Sequence, residues 1–145
     1  MNDLKAEEKI LENLEESETI VTMPSDVLKV GIVQRIAKRE QEHFLVICLN
    51  PQKEVIKKKI VAIGSISTCN IHQRDVFREA VRSNAAAIIA VHNHPSGHTD
   101  PSEADVKTTE TILKSAEILG IPLLDHIIVG KYGYFSFLEH DMCFG

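Results

Sequence analysis

The sequence predicts a layered α/β domain in which helices cover both faces of a mixed β-sheet, an αβα arrangement. Two observations lead to this fold class. Stretches with apolar residues at helical spacing alternate with short, continuous apolar runs, as expected for helices interleaved with strands. The longest of these runs, FLVICL (44–49) and AAAIIAV (85–91), have the length of buried strands.

The composition fits one domain and argues against a nucleic-acid-coating surface. A chain of 145 residues suits a single domain that buries a core without a disulfide or a structural metal. Its 16 basic and 21 acidic side chains give a net charge of −5, which excludes a generally basic surface. Tryptophan is absent and aromatic residues make up 5%, so few side chains can stack on bases. Nucleic-acid binding is therefore not favoured.

The sequence also bears on compartment and thiol chemistry. The first residues, MNDLKAEEKI, lack the basic and then apolar pattern of a signal peptide, and no apolar run approaches a membrane span. The three cysteines (Cys48, Cys69 and Cys143) are widely separated and form no CxxC pair, which favours free thiols. We therefore expect a cytoplasmic protein without a membrane partner.

The first half of the chain predicts two helices and two strands. Residues 3–18 have the spacing of an amphipathic helix, and 26–39 show a second helical pattern after a Met-Pro-Ser break. HFLVICL (43–49) is a continuous β-branched and aromatic run that Asn-Pro closes, as for a buried strand. Residues 54–66 would form its hairpin neighbour, with three consecutive lysines that could mark a sheet edge or a solvated face.

The second half predicts the rest of the sheet and its covering helices. Gly120 and Pro122 are placed to end a long helix there. The expected elements are a helix over 73–84, an interior strand over 85–91, a loop over 92–101, a helix over 102–119, and a closing hairpin of 125–130 and 134–138.

The segment HNHPSGHTDPSEAD (92–105), which spans the predicted loop and the start of the next helix, holds the most informative pattern in the chain. His92 and His94 directly follow a buried strand, so in extended geometry both imidazoles point the same way and Asn93 points opposite. Imidazole nitrogen suits Zn²⁺, and Asp105 falls in the first turn of the next helix, where its carboxylate could join them. Three protein ligands leave the fourth position for water, as in catalytic zinc sites.

Other interpretations of this loop remain open. An HxH pair also occurs in cupin barrels, phosphoesterases and amidohydrolases, and Ser102-x-x-Asp105 equally fits a helix capping box. His98 could replace Asp105 as third ligand, although we favour a solvated loop position for it. Two histidines and a carboxylate also hold iron(II) in oxygenases, but HxH on one strand favours zinc.

The combination of HxH, seven residues and SxxD resembles the JAMM motif of MPN-domain metalloproteases. The segments AAAIIAVHNHPSG, PSEAD and LGIPLLDHIIVG narrow the resemblance to the RadC family of bacterial MPN-domain proteins, over residues 24–138. The resemblance implies an MPN (JAMM) type αβα fold, cytidine-deaminase-like, over 23–145, preceded by a helical extension over 1–22.

The resemblance also implies a role for each residue that matches the motif. His92, His94 and Asp105 would ligate zinc, and Ser102 would hydrogen-bond the developing oxyanion of the scissile carbonyl. A glutamate before the first long strand would act as general acid/base on the zinc-bound water. In EQEHFLVICL we assign that role to Glu42, with Glu40 as the alternative. The implied activity is zinc-dependent hydrolysis of a peptide or isopeptide bond in a peptide or protein substrate.

The sequence departs from the family pattern in two respects, and two other functional classes stay open. DNA-repair members carry a helix-hairpin-helix region before the MPN domain, and we expect no such module here; Gln73 also replaces an expected proline. A DNA-associated role would need a basic face, and a non-catalytic scaffold would have lost ligands that this chain keeps. The candidate basic residues are Lys53, Lys57, Lys58, Lys59, Arg74, Arg78 and Arg82.

His126, in LLDHIIVG, is the remaining histidine near this pattern. We predict that it is a buried histidine satisfied by a backbone carbonyl or by Asp125 rather than a member of the site. Neither the substrate nor the oligomeric state follows from the sequence.

Overall fold

The computed structural model describes Ala6, Lys9, Ile10 and Glu12 together with residues 19–65 and 71–144. Residues 19–65 and 71–144 form a 3₁₀ helix and three α-helices around one five-stranded sheet. The elements are the 3₁₀ helix Pro24–Lys29, α1 (Gly31–Ile36), β1 (His43–Leu49), β2 (Val55–Ile63), α2 (Gln73–Arg82), β3 (Ala87–Asn93), α3 (Glu103–Leu119), β4 (Leu123–Gly130) and β5 (Gly133–Ser136).

The sheet is mixed, as the sequence predicts. Its strand order is β2-β1-β3-β4-β5; β3 and β4 are parallel, and every other neighbouring pair is antiparallel. The lysine-rich strand β2 forms one edge. Parallel strands need a crossover connection, and α3 supplies it between β3 and β4. The beginning of α3 therefore lies near the end of β3.

Each face of the sheet has its own apolar core, because alternate residues of β1 point to opposite sides. Leu45, Ile47 and Leu49 pack with the 3₁₀ helix and α1 on one face. Phe44, Val46 and Cys48 pack with α2 and α3 on the other. Both sets are almost fully buried, which confirms the αβα layering.

The predicted helix over 26–39 is wrong as a single helix. Val30 is extended, with φ −73° and ψ 123°, and separates the 3₁₀ helix from α1. Val30 is fully buried, and the following glycine is a poor helix former, so core packing outweighs helical spacing here. Asp26 tightens the first turn, because its carboxylate accepts hydrogen bonds from the backbone N–H groups of Thr22 and Met23.

Other predicted boundaries shift by a few residues. The strand predicted over 54–66 ends at Ile63, and Gly64 follows with φ +104°. The helix predicted over 102–119 is confirmed: Ser102 is its N-cap, and Gly120 ends it with φ +70°. Strand β5 ends at Ser136, two residues early.

The predicted helix over 3–18 lies mostly outside the described residues. Its four described members are helical, and the carboxylate of Glu12 accepts a 2.6 Å hydrogen bond from the backbone N–H of Ile60 at the sheet edge. The division after residue 22 stays a prediction. Cys48 is a buried free thiol and Cys143 a half-buried one, whereas Cys69 is outside the described residues. In the described part of the chain, no helix is long and apolar enough to cross a bilayer.

Candidate metal centre

His92, His94 and Asp105 converge where β3 ends and α3 begins. Nε2 of His92 lies 3.1 Å from Nε2 of His94 and 3.0 Å from Oδ1 of Asp105. Nε2 of His94 lies 3.1 Å from Oδ2 of Asp105. Among the described residues, these three form a group whose ligand atoms all lie within 4.8 Å of one another.

Strand geometry aligns the two imidazoles. The backbone N–H of His94 donates to the carbonyl of Val129 at 2.9 Å, so pairing with β4 continues one residue beyond β3. His92 and His94 therefore stay on one side of the sheet, and Asn93 on the other, as predicted. The His92 ring also stacks on Phe44, with ring centroids 5.8 Å apart.

The helix terminus positions the carboxylate. The backbone N–H of Ser102 donates to Oδ2 of Asp105 at 2.8 Å, and the N–H of Asp105 donates to Oγ of Ser102 at 3.1 Å. This is the reciprocal capping box that the sequence allowed. The capping and ligand interpretations are therefore compatible, because the same carboxylate closes the cap and faces both imidazoles.

The donor set fits a divalent cation. Nδ1 of His94 lies 2.9 Å from the carbonyl oxygen of His98, which can only accept, so in neutral His94 the proton sits on Nδ1 and the Nε2 lone pair faces the cluster. Four-coordinate zinc with bonds of about 2.0–2.1 Å separates its ligand atoms by roughly 3.3–3.4 Å. The two imidazole nitrogens, 3.1 Å apart, approach this value, and each faces one oxygen of the Asp105 carboxylate.

The electrostatics of the cluster favour a carboxylate anion. Burial would raise the pKa of Asp105, but the close imidazoles of His92 and His94, at 3.0 and 3.1 Å, hold that pKa well below its usual range. The pKa of His94 is raised, chiefly by its hydrogen bond to Asp105 and against the effect of burial. A proton on His94 therefore balances the negative charge of Asp105, as a bound cation would.

Glu42 and Glu40 differ in placement. Phe44 is opposite His92 in the β1–β3 register, so the residue two positions earlier, Glu42, comes level with His94. Glu42 is half-buried, its carbonyl accepts the N–H of Gly64 at 2.9 Å, and its charge contributes to the raised pKa of His94. Glu40 is exposed in a bend. Of the two glutamates, Glu42 is the one whose charge acts on His94, and its role as general acid/base stays a prediction.

Ser102 and His98 flank the centre. The exposed Ser102 uses its hydroxyl oxygen as an acceptor in the cap, which leaves its proton to donate to a bound group. His98 is exposed and contributes its carbonyl to His94, while its imidazole lies outside the cluster.

The prediction that His126 is buried is confirmed, since the residue is 0% exposed, but the predicted partners of its ring are wrong. Its Nε2 lies 2.8 Å from Nδ1 of His92, and its Nδ1 is hydrogen-bonded to the hydroxyl of Thr109. Asp125 bonds the backbone N–H of His126 and not its ring. Complete burial lowers the pKa of His126 well below its ordinary value, so the ring is neutral. His126 and Thr109 directly support a candidate ligand, a contact that periodicity along the chain does not reveal.

Asn93 is a second residue that sequence reasoning did not place in the site. Its buried side chain accepts from the backbone N–H of His43 at 2.6 Å and donates to the carbonyl of Gln41 at 2.9 Å. Glu42 lies between these two residues. In the sequence, the signal that could have indicated this role is the position of a polar amide between two candidate ligands.

Comparison with known proteins agrees with this geometry. The family model for the RadC-like JAB domain matches residues 21–142. The chain belongs to this family. This RadC-like JAB domain is 42% identical over 124 residues to a UPF0758 protein of Rubrobacter xylanophilus, covering 85% of the chain and 53% of that relative.

Two staphylococcal relatives agree. UPF0758 proteins of Staphylococcus haemolyticus and Staphylococcus aureus are 42% and 45% identical over 119 residues, covering 82% of this chain and 52% of each relative. The family and fold class predicted from the motif are therefore confirmed. The RadC-like JAB domain described here spans about half the length of these curated relatives.

Proposed function

We propose that this domain is a zinc-dependent hydrolase of peptide or isopeptide bonds. The observation that carries the proposal is the convergence of two imidazole nitrogens and a carboxylate at separations of 3.0 to 3.1 Å. Of the metals compatible with two histidines and one carboxylate, zinc suits four-coordinate nitrogen and oxygen ligation with one position open.

The residues around the centre divide the chemistry. Zinc held by His92, His94 and Asp105 would lower the pKa of a water toward about 7 and polarise the substrate carbonyl. Glu42 accepts the proton of the attacking water and returns it to the leaving amine. The Ser102 hydroxyl donates to the oxygen of the substrate carbonyl as it becomes negative.

Metal content and one substitution test the proposal. Purified protein should take up one zinc ion per chain on titration, and a chelator should abolish cleavage of a proteome-derived peptide library followed by mass spectrometry. Glu42→Gln should keep the zinc affinity within about twofold and lower cleavage by roughly 10²–10⁴-fold, because it removes only proton transfer. The control Glu40→Gln should cleave normally. Absence of zinc uptake, or normal cleavage by Glu42→Gln, would overturn the corresponding step.

A DNA-linked role is the second candidate, and one observation favours it. Lys59 on β2 and Arg78 on α2 line a common surface depression, so basic residues of two elements adjoin. Asp75 and Glu79 line the same depression and lower its net positive charge, and Asp75 forms a salt bridge with Arg78 at 2.9 Å. Salt-dependent retardation of duplex DNA in a gel would support this role, and no binding at low salt would exclude it.

A non-catalytic scaffold ranks third. The described residues include a complete two-histidine, one-carboxylate group, whereas a scaffold has no need to retain such a group.

A further inference from the structure

We propose that His126 and Thr109 are positioning residues that fix the tautomer of His92 and so present its Nε2 lone pair to the metal. The inference rests on the proposed zinc site and adds two residues to it. Neither residue belongs to the group of ligand atoms, and both act through His92.

The hydrogen-bond chain ends at an atom that can only accept. The Thr109 hydroxyl donates to the backbone carbonyl of Asp105 at 2.8 Å, so its oxygen accepts from Nδ1 of His126. Nε2 of His126 is then an acceptor, and Nδ1 of His92, 2.8 Å away, is the donor. The only proton of neutral His92 is thus on Nδ1, and the Nε2 lone pair faces His94 and Asp105.

Burial leaves His126 as the hydrogen-bond partner of Nδ1 of His92. His92, Thr109 and His126 are each 0% exposed, so solvent cannot supply a substitute partner. The His126 ring stacks on Phe137 with centroids 4.7 Å apart and planes 4° apart, which holds it in place. Most ligand histidines are supported by a carboxylate, a carbonyl or water. A neutral imidazole fixes the tautomer here without adding charge to the site.

Reversing the hydrogen bond between Thr109 and His126 would place the His92 proton on the other ring nitrogen. If Thr109 donated to His126, then Nε2–H of His126 would donate to Nδ1 of His92. The His92 proton would then sit on Nε2 and point at Asp105, 3.0 Å away, and would block coordination. The two arrangements place the His92 proton on different nitrogens, which can be observed directly.

Zinc affinity tests the positioning role without a substrate. His126→Phe keeps the stacking on Phe137 and removes the acceptor, and it should weaken zinc binding about 10- to 100-fold in competition with a chromogenic chelator. His126→Gln restores a carbonyl acceptor and should recover most of that loss. Thr109→Val should also weaken binding, whereas Thr109→Ser should not.

The next residue provides a matched control. Thr108 is buried on the same helix, but its Oγ1 has no hydrogen-bond partner among the described residues. Thr108→Val should therefore leave zinc affinity unchanged. Urea unfolding of each metal-free variant separates a folding defect from a loss of affinity, and Thr109→Val carries the test if His126→Phe does not fold.

Imidazole ¹⁵N NMR spectra of the zinc-loaded and metal-free protein identify which ring nitrogen of His92 and of His126 carries the proton. Protonated Nδ1 on both His92 and His126 supports the inference, whereas protonated Nε2 on His126 overturns it. Wild-type protein that binds zinc while His126→Phe and Thr109→Val bind it equally tightly also overturns the inference and leaves the proposed function intact. Wild-type protein that binds no zinc overturns the proposed function, and the ¹⁵N spectrum alone then decides the tautomer.

Discussion

Asn93 lies between the two candidate histidine ligands, yet its side chain bonds the segment that carries Glu42. Its Oδ1 accepts a hydrogen bond from the backbone N–H of His43. Its Nδ2 donates to the backbone carbonyls of Gln41, at 2.9 Å, and Arg39, at 3.4 Å. One buried side chain thereby fixes the candidate general base relative to the candidate ligands.

Substitution of this amide should separate catalysis from metal binding. Asn93→Asp replaces the donor with a carboxylate that faces two carbonyls, so we expect the free energy of unfolding to fall by about 1–3 kcal/mol. Cleavage should fall at least tenfold while zinc affinity changes little, because no ligand atom is altered. Urea unfolding, chelator competition and peptide cleavage measure the three quantities. Asn84→Asp, at an exposed position with φ +53°, is the control, and equal behaviour of the two variants would contradict the assignment.

At the scale of elements, the loop from His94 to Ser102 closes against the end of β4. A Cβ atom on Gly130 would lie 2.7 Å from the carbonyl oxygen of Gly97 and 3.1 Å from Thr99. Glycine at this position therefore lets the loop between β3 and α3 approach the end of β4 closely.

Adding one methyl group there should open the site. Gly130→Ala forces the loop backbone outward, and we expect a loss of about 1–3 kcal/mol in the free energy of unfolding together with weaker zinc binding. Gly133→Ala is the matched control on the same hairpin, because a Cβ there meets nothing within 4 Å and should change neither quantity. Unchanged zinc affinity in Gly130→Ala would show that the loop tolerates the shift.

The 3₁₀ helix contributes a pH-dependent term of its own. Hydrogen bonds from the backbone and hydroxyl of Thr22, then from Lys29, lower the pKa of Asp26 from 3.8 to about 2. A lowered pKa stabilises the folded state above the unfolded value and loses that contribution as the pH falls through the folded value. The stability difference between wild type and Asp26→Asn should therefore shrink as the pH falls from about 4 to about 2. Urea unfolding across this range measures it, and a constant difference would contradict the assignment.

At the scale of the whole molecule, local patterns predicted the layers and the convergence of the candidate ligands. Continuous apolar runs identify buried strands, and the HxH pair gains meaning from the strand directly before it. The break at Val30 was not predictable, because tertiary burial overrides the helical spacing around it. The pairing of His92 with His126 depends on the parallel register that sets Ala90 opposite His126, and no local pattern encodes that register.

The two apolar cores also determine what zinc does for stability. Because each face of the sheet is packed without a metal, chelator-treated protein should remain folded and unfold cooperatively. Zinc at 100 times its dissociation constant should then add about 2.7 kcal/mol to the free energy of unfolding. Loss of structure on chelation would contradict a catalytic role and indicate a structural one.

The free energy of unfolding that zinc adds should also increase with pH. The raised pKa of His94, caused chiefly by its hydrogen bond to Asp105, means that zinc must displace a proton there. Below that pKa the protonated pair stabilises the metal-free fold and competes with the ion; above it, the competition disappears. Subsaturating zinc should therefore raise the unfolding midpoint more at pH 8 than at pH 6. His94→Gln should lose most of the increment at both values, and an increment that falls with pH in wild type would exclude ligation by this imidazole.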